Sequence, residues 1–175
     1  MTSYRPFLFF TLALLISINV FGQKNCEFKI DTAKILANQN LDNLLSQFQN
    51  DTFKITNNKK DIPRFIKKQL NCLTHGFSIA NPGQPYQATD VVFKKLPWRQ
   101  LVFLDRNNDM LVMTYLKGGI GLSRHVLFIK FKDKKIIDLW RGNCLNGMDT
   151  KEGIINNINQ NRNKEWGLNS NTIYL

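Results

Sequence analysis

The stretch "RQLVFLDRNNDMLVMTYLKGGIGLSRHVLFIKFKDKKIIDLWR", Arg99 to Arg141, decides the fold. It is rich in β-branched and aromatic residues and is cut by three short breaks, "DRNND", "GGIG" and "KDKK". Breaks this short join antiparallel neighbours. The spacing predicts strands over Arg99–Asp105, Met110–Lys117, Arg124–Lys132 and Lys135–Arg141 in one meander, with a further strand near Asp90–Lys94.

The glycines Gly118, Gly119 and Gly121 stand directly before Ser123, Arg124 and His125. A phosphate cradle needs such glycines between a strand and a helix, so that helix N–H groups point at the anion. Here the following "HVLFIKF" reads as a strand. The segment lacks the Lys-Ser/Thr ending of a P-loop and the GxGxxG spacing. Glycines between two strands serve positive φ and tight reversal. The expectation is a hairpin corner lining a cleft.

A two-residue turn at Asp133-Lys134 sets Lys132 opposite Lys135, Phe131 opposite Ile136, Ile129 opposite Asp138 and Leu127 opposite Trp140. Alternation then places His125, Leu127, Ile129, Phe131, Ile136, Asp138 and Trp140 on one face, turned toward the helices. In that register Asp138 is about 13 Å from His125, at roughly 3.3 Å per residue. A base and its orienting carboxylate must touch, so a His125–Asp138 dyad is not expected.

Upstream the periodicity is helical. One helix is predicted from Asp31 or Thr32 to about Gln49, with Leu36, Leu41, Leu44, Leu45 and Phe48 on one face. Phe53 and Ile55 alternate as in a short strand. "DIPRFIKKQLNCLTHG" predicts a second helix capped by Asp61, with Pro63 in its first turn and Gly76 closing it. A C-terminal helix is expected over Thr150–Asn161, with Asp149 and Glu152 as a capping box and 162–175 as a frayed tail. The expected fold is α+β: two N-terminal helices laid on one face of a four- to five-stranded antiparallel meander, plus a short C-terminal helix.

The leader "MTSYRPFLFFTLALLISINVFGQKNC" has Arg5, an apolar run from Phe7 to Ile18 and a small residue at Gly22. This is the pattern of a secretory signal over 1–22, leaving a single domain over 23–175. The apolar core is shorter than the roughly 18–20 residues of a stable anchor, so no membrane span is expected after cleavage. Export to the periplasm or beyond implies an oxidising compartment. Of Cys26, Cys72 and Cys144, one pair is then expected to bond, Cys26–Cys72 first. A helix pair brings those two ends together.

The net charge of +11 is spread as lysine pairs, Lys59-Lys60, Lys67-Lys68, Lys94-Lys95 and Lys134-Lys135, without an arginine cluster. That reads as a solvated surface and not as a nucleic-acid site. With two histidines and no CxxC, no metal or other cofactor is expected. Cys72 and His75 are three apart at a helix end, but an oxidised Cys72 is no nucleophile. The loop "NPGQPYQATDVV" sets Tyr86 among prolines, and Trp98 and Arg99 follow it. Aromatics and amides beside cations suit a protein or glycan surface. The candidate binding residues are therefore Tyr86, Trp98, Arg99, Arg124 and His125.

From Leu41 to Trp140, the order of helices followed by a meander with a late tryptophan resembles the cystatin-like and nuclear-transport-factor-like folds in general shape. That resemblance carries no functional residue across. The expected function is an exported, non-enzymatic binding module for a protein partner or an envelope glycan. The alternative is a small hydrolase or transferase at a cleft near Ser123 and His125.

Overall fold

A computed structural model describes residues 26–74, 76–92, 95–144 and 147–163. The expected signal segment, His75 and most of the expected frayed tail lie outside them. Helices α1 (Thr32–Leu36) and α2 (Leu41–Asn50) are followed by β1 (Lys54–Ile55), a 3₁₀ turn (Lys59–Asp61) and α3 (Arg64–Leu73). Then come β2 (Ile79–Ala80), β3 (Arg99–Arg106), β4 (Met110–Lys117), β5 (Ser123–Lys132), β6 (Lys135–Cys144) and α4 (Lys151–Asn161). The fold is α+β. Strands β3 to β6 form the expected antiparallel meander, and no described helix is long and apolar enough to cross a membrane.

The first predicted helix is two helices. Asn38 takes φ 53°, which ends α1, and its Oδ1 accepts from Trp140 Nε1 at 3.0 Å. Asn40 Nδ2 donates to Asp138 Oδ1 at 2.7 Å and to the Leu139 carbonyl at 3.1 Å. Two asparagines thus break the helix in order to grip the outer strand β6, a gain that helical periodicity does not reveal.

The remaining departures are similarly local. Asp61 does not cap α3; it closes the 3₁₀ turn, whose cap is Asn58, and α3 begins after Pro63. Thr150 caps α4 in place of Asp149, accepting from Gly153 N at 3.0 Å. The expected strand near Asp90–Lys94 does not form over the described residues 90–92. Buried Gln87 instead donates to the carbonyls of Thr89 at 2.7 Å and Val91 at 2.6 Å, folding the segment around its own amide. Two short strands share the outer edge of β3: β1 runs antiparallel at Asp105–Arg106, and β2 runs parallel at Arg99–Gln100.

The largest correction is in register. β6 carries an extra residue, Ile137, so that Phe131 pairs with Ile136 but Lys130 pairs with Asp138. Beyond this bulge Trp140 lies across from Phe128, and Leu127 lies across from Arg141. A bulge of one residue moves every later side chain to the other face.

Ring contacts show that both faces of the sheet are covered. Phe48 of α2 meets Phe128 at 5.6 Å, and Phe65 of α3 meets Phe131 at 5.3 Å. Phe128 and Phe131 are three apart on one strand and point to opposite sides. α1 and α2 therefore cover one face and α3 the other, in place of the expected one-sided packing. Both faces of β4 and β5 are accordingly apolar, with Leu111 to Met113 and Val126 to Ile129 fully buried. Cys26 and Cys72 are bonded, with Cα atoms 5.8 Å apart. This ties the chain ahead of α1 to α3 around the β6 edge.

Candidate functional site

The α3 face of the sheet gathers an unusual polar group at one end. Register places Arg99 beside Lys117 and Ser123, and Tyr115 beside His125 and Asn143. The Ile137 bulge adds Arg141 to the same face. Arg99, Tyr115, His125 and Arg141 are all buried. Arg99 lies over the Phe77 ring at 4.6 Å, and the Tyr115 ring lies between those of Phe77 and His125, at 6.2 and 5.1 Å.

Ser123 and His125 do meet: Oγ is 2.7 Å from Nε2. A serine beside an imidazole suggests an activated nucleophile. The other ring nitrogen decides otherwise. Arg141 Nη2 is 2.6 Å from His125 Nδ1, and a guanidinium only donates. Nδ1 must therefore accept, the ring hydrogen sits on Nε2, and Nε2 donates to Ser123 Oγ. The lone pair a general base would turn toward the serine is absent. Burial first, then the charges of Arg141, Lys117 and Arg99, hold the His125 pKa down to about 3. Asn143 Oδ1 accepts a second bond from Arg141, at 2.8 Å. In this arrangement His125 is a neutral strut between a guanidinium and a hydroxyl.

Lys117 has its pKa lowered by burial and by its two arginine neighbours, and burial also lowers that of Arg99. Three cations are thus grouped at this end of the sheet, with Arg99 against the Phe77 ring. Asp138, on the opposite face, is held by Lys34 at 2.9 Å and by Asn40. The expected absence of a His125–Asp138 pair agrees with this, though the register behind that expectation does not.

The glycine corner also has a definite shape. Gly118 N donates to the Trp98 carbonyl at 3.1 Å, and Thr89 bridges to Gly119. A Cβ on Gly118 would lie 1.9 Å from the Gln87 carbonyl oxygen, and Gly119 has φ 141°. The proline-rich loop is therefore seated against the corner, which holds the tip outward. Ile120 is 99% exposed and Leu122 61%, and Val91, Val92 and Trp98 are exposed as well.

Of the predicted site residues, the structure brings Arg99 and His125 into one cluster. Arg124 points from the opposite face of β5, opposite Leu116, and Tyr86 is half-buried in the loop. Trp98 is exposed beside the corner. Tyr115, Lys117, Arg141 and Asn143 carry no local sequence signal, because their convergence depends on strand pairing and on one bulge. Among the described residues no group of three or more His, Cys, Asp or Glu could hold a metal ion. No protein-family model, curated protein or solved structure matches the chain.

Proposed function

We propose that the protein is an exported, non-enzymatic binding module whose contact surface is the glycine-corner end of the sheet. The observation that carries this reading is the Ile120–Leu122 tip, apolar and held in solvent by a corner that Gln87 and Thr89 buttress. Apolar side chains gathered at one exposed place stabilise an interface when covered, at about 25 cal/mol per Å². A preformed tip also loses little entropy on docking. Trp98, Val91 and Val92 extend the same surface, which suits a protein partner.

Export is supported by the leader pattern and by the Cys26–Cys72 bond. The hydrolase alternative is less well supported, because the Ser123–His125 pair has its proton on the wrong nitrogen. The likeness in outline to cystatin-like and nuclear-transport-factor-like folds rests on element order and adds no residue to this reading.

The test is affinity capture from envelope extracts with the mature protein and with an Ile120→Asp/Leu122→Asp variant. A stoichiometric partner held by the former and lost by the latter, with the melting temperature unchanged, is expected. A partner retained by the variant overturns the choice of surface. Turnover in a hydrolase screen that Ser123→Ala abolishes overturns the binding-module reading itself.

A further inference from the structure

The lysine pairs that look scattered in sequence are gathered by the fold around one groove. It has a volume of about 700 Å³ and runs between α3 and the segment from Phe77 to Ile79, with Pro97 at its far lip. Its described lining contains Lys59, Lys60, Arg64, Lys67 and Lys68 and no acid. Glu27 and Asp61 are not part of that lining. Glu27 is 3.8 Å from Lys68 on the exposed outer side and is held there by Gln69, and Asp61 is exposed in the 3₁₀ turn.

We propose that this groove binds an acidic polysaccharide, a chain of sugars bearing carboxylate or sulfate groups. Three features select that class among polyanions. First, Arg64, Lys67, Lys68 and Asn71 form one ridge of α3, at helical spacings of three and four. Lys67 and Lys68 share one turn, and successive turns of that ridge advance by about 5 Å. That advance is comparable to one sugar residue, whereas side chains on one side of an extended peptide recur at about 7 Å.

Second, the opposite wall combines apolar Phe77, Ile79 and Pro97 with hydrogen-bonding Ser78, and Asn71 reaches it from α3. Asn71 Oδ1 accepts from Phe77 N at 2.6 Å and Ser78 Oγ accepts from Trp98 N at 3.3 Å. These bonds fix both side chains through their oxygens and leave amide and hydroxyl hydrogens to donate to hydroxyls. A sugar ring offers both a C–H face and hydroxyl rims to such a wall.

Third, Arg99 lies over the Phe77 ring at 4.6 Å, which sets a further cation against that wall.

The inference does not depend on the Ile120–Leu122 tip, and its test leaves that tip untouched. Heparin and polygalacturonate serve as sulfated and carboxylated probes, dextran as the neutral one and poly-L-glutamate as the acidic peptide, titrated at physiological salt. An Arg64→Glu/Lys67→Glu variant is compared with Lys132→Glu/Lys135→Glu, which makes the same charge change at the exposed β5–β6 turn. The expected result is binding to at least one acidic polysaccharide and none to dextran. The groove variant should lose about tenfold or more in affinity, and the turn variant should stay within about twofold. Equal losses in the two variants would mean diffuse charge attraction and would overturn the site. Poly-L-glutamate binding as tightly as the polysaccharides would overturn the ligand class, and no binding to any acidic probe would overturn both.

Discussion

Arg141 Nη2 lies 2.6 Å from His125 Nδ1, and that contact fixes where the imidazole proton sits. A cation occupies the place where a catalytic histidine keeps a carboxylate. The carboxylate would stabilise an imidazolium, and the guanidinium opposes one. The same pair makes His125 a marker for the stability of the domain against acid.

The unfolded chain binds a proton at His125 near its ordinary pKa of 6.5, while the folded chain binds it only near 3. Between those values the unfolded state holds more protons, so stability falls as pH falls. The full contribution is roughly 3–5 kcal/mol. Burial raises the Asp105 pKa, which acts in the opposite sense near the carboxylate range. Urea midpoints from pH 7 to pH 4 should decline for the native protein and decline less for His125→Gln. Parallel curves for the two proteins would show that His125 protonates in the fold.

Bonding Cys26 to Cys72 closes a loop 46 residues long and fixes the chain ahead of α1 against α3. Closure of such a loop contributes on the order of 3–4 kcal/mol. The Cys26→Ser/Cys72→Ser variant should lose about that much in denaturant titration. Mild reduction of the native protein should produce the same loss. A variant as stable as the native protein would refute a structural role for the bond.

Three glycines of the corner should respond differently to alanine. At Gly118 the new Cβ meets the Gln87 carbonyl oxygen at 1.9 Å and Ala88 Cα at 2.7 Å, both backbone atoms that cannot swing aside. Gly118→Ala should therefore cost about 2 kcal/mol or more. Gly119→Ala meets open space but a φ of 141°, and should cost about 1 kcal/mol. Gly121→Ala meets open space at an unstrained φ and should lie within about 0.5 kcal/mol of the native protein. Thermal unfolding gives the ranking. Phosphate or sulfate, against salt-matched chloride, should raise no melting temperature in a manner that depends on Gly118 or Gly119. An increment lost with either glycine would turn the corner into an anion site.

Much of this domain was legible from local pattern. Strands β3 to β6 lie close to their predicted bounds because strand alternation and short polar turns are written within a few residues. Gly119 took positive φ in a strand-to-strand corner for the same reason. Cys26 and Cys72 are bonded as expected, although the helices that carry the two ends lie on opposite faces of the sheet and do not form the helix pair behind that expectation. Residue type alone marks Arg99 and His125 as candidates, and strand pairing brings them into one cluster.

What remained hidden was set by contacts between distant segments. An extra residue at Ile137 has no local signature. It lets Trp140 reach Phe128 and Asn38 while Asp138 takes Lys34 and Asn40, and the three helix-side partners Asn38, Lys34 and Asn40 lie about a hundred residues upstream. The same bulge delivered Arg141 to His125 and so changed an apparent serine–histidine pair into a strut. Helix α3 covering the second face is likewise a tertiary choice, because it depends on where Phe65 finds Phe131. Sequence determined the elements and most of their ends, since backbone sterics and side-chain period act over a few residues. Register, face and the meeting of charges were decided only by packing, where a single inserted residue reverses which side chains share a face.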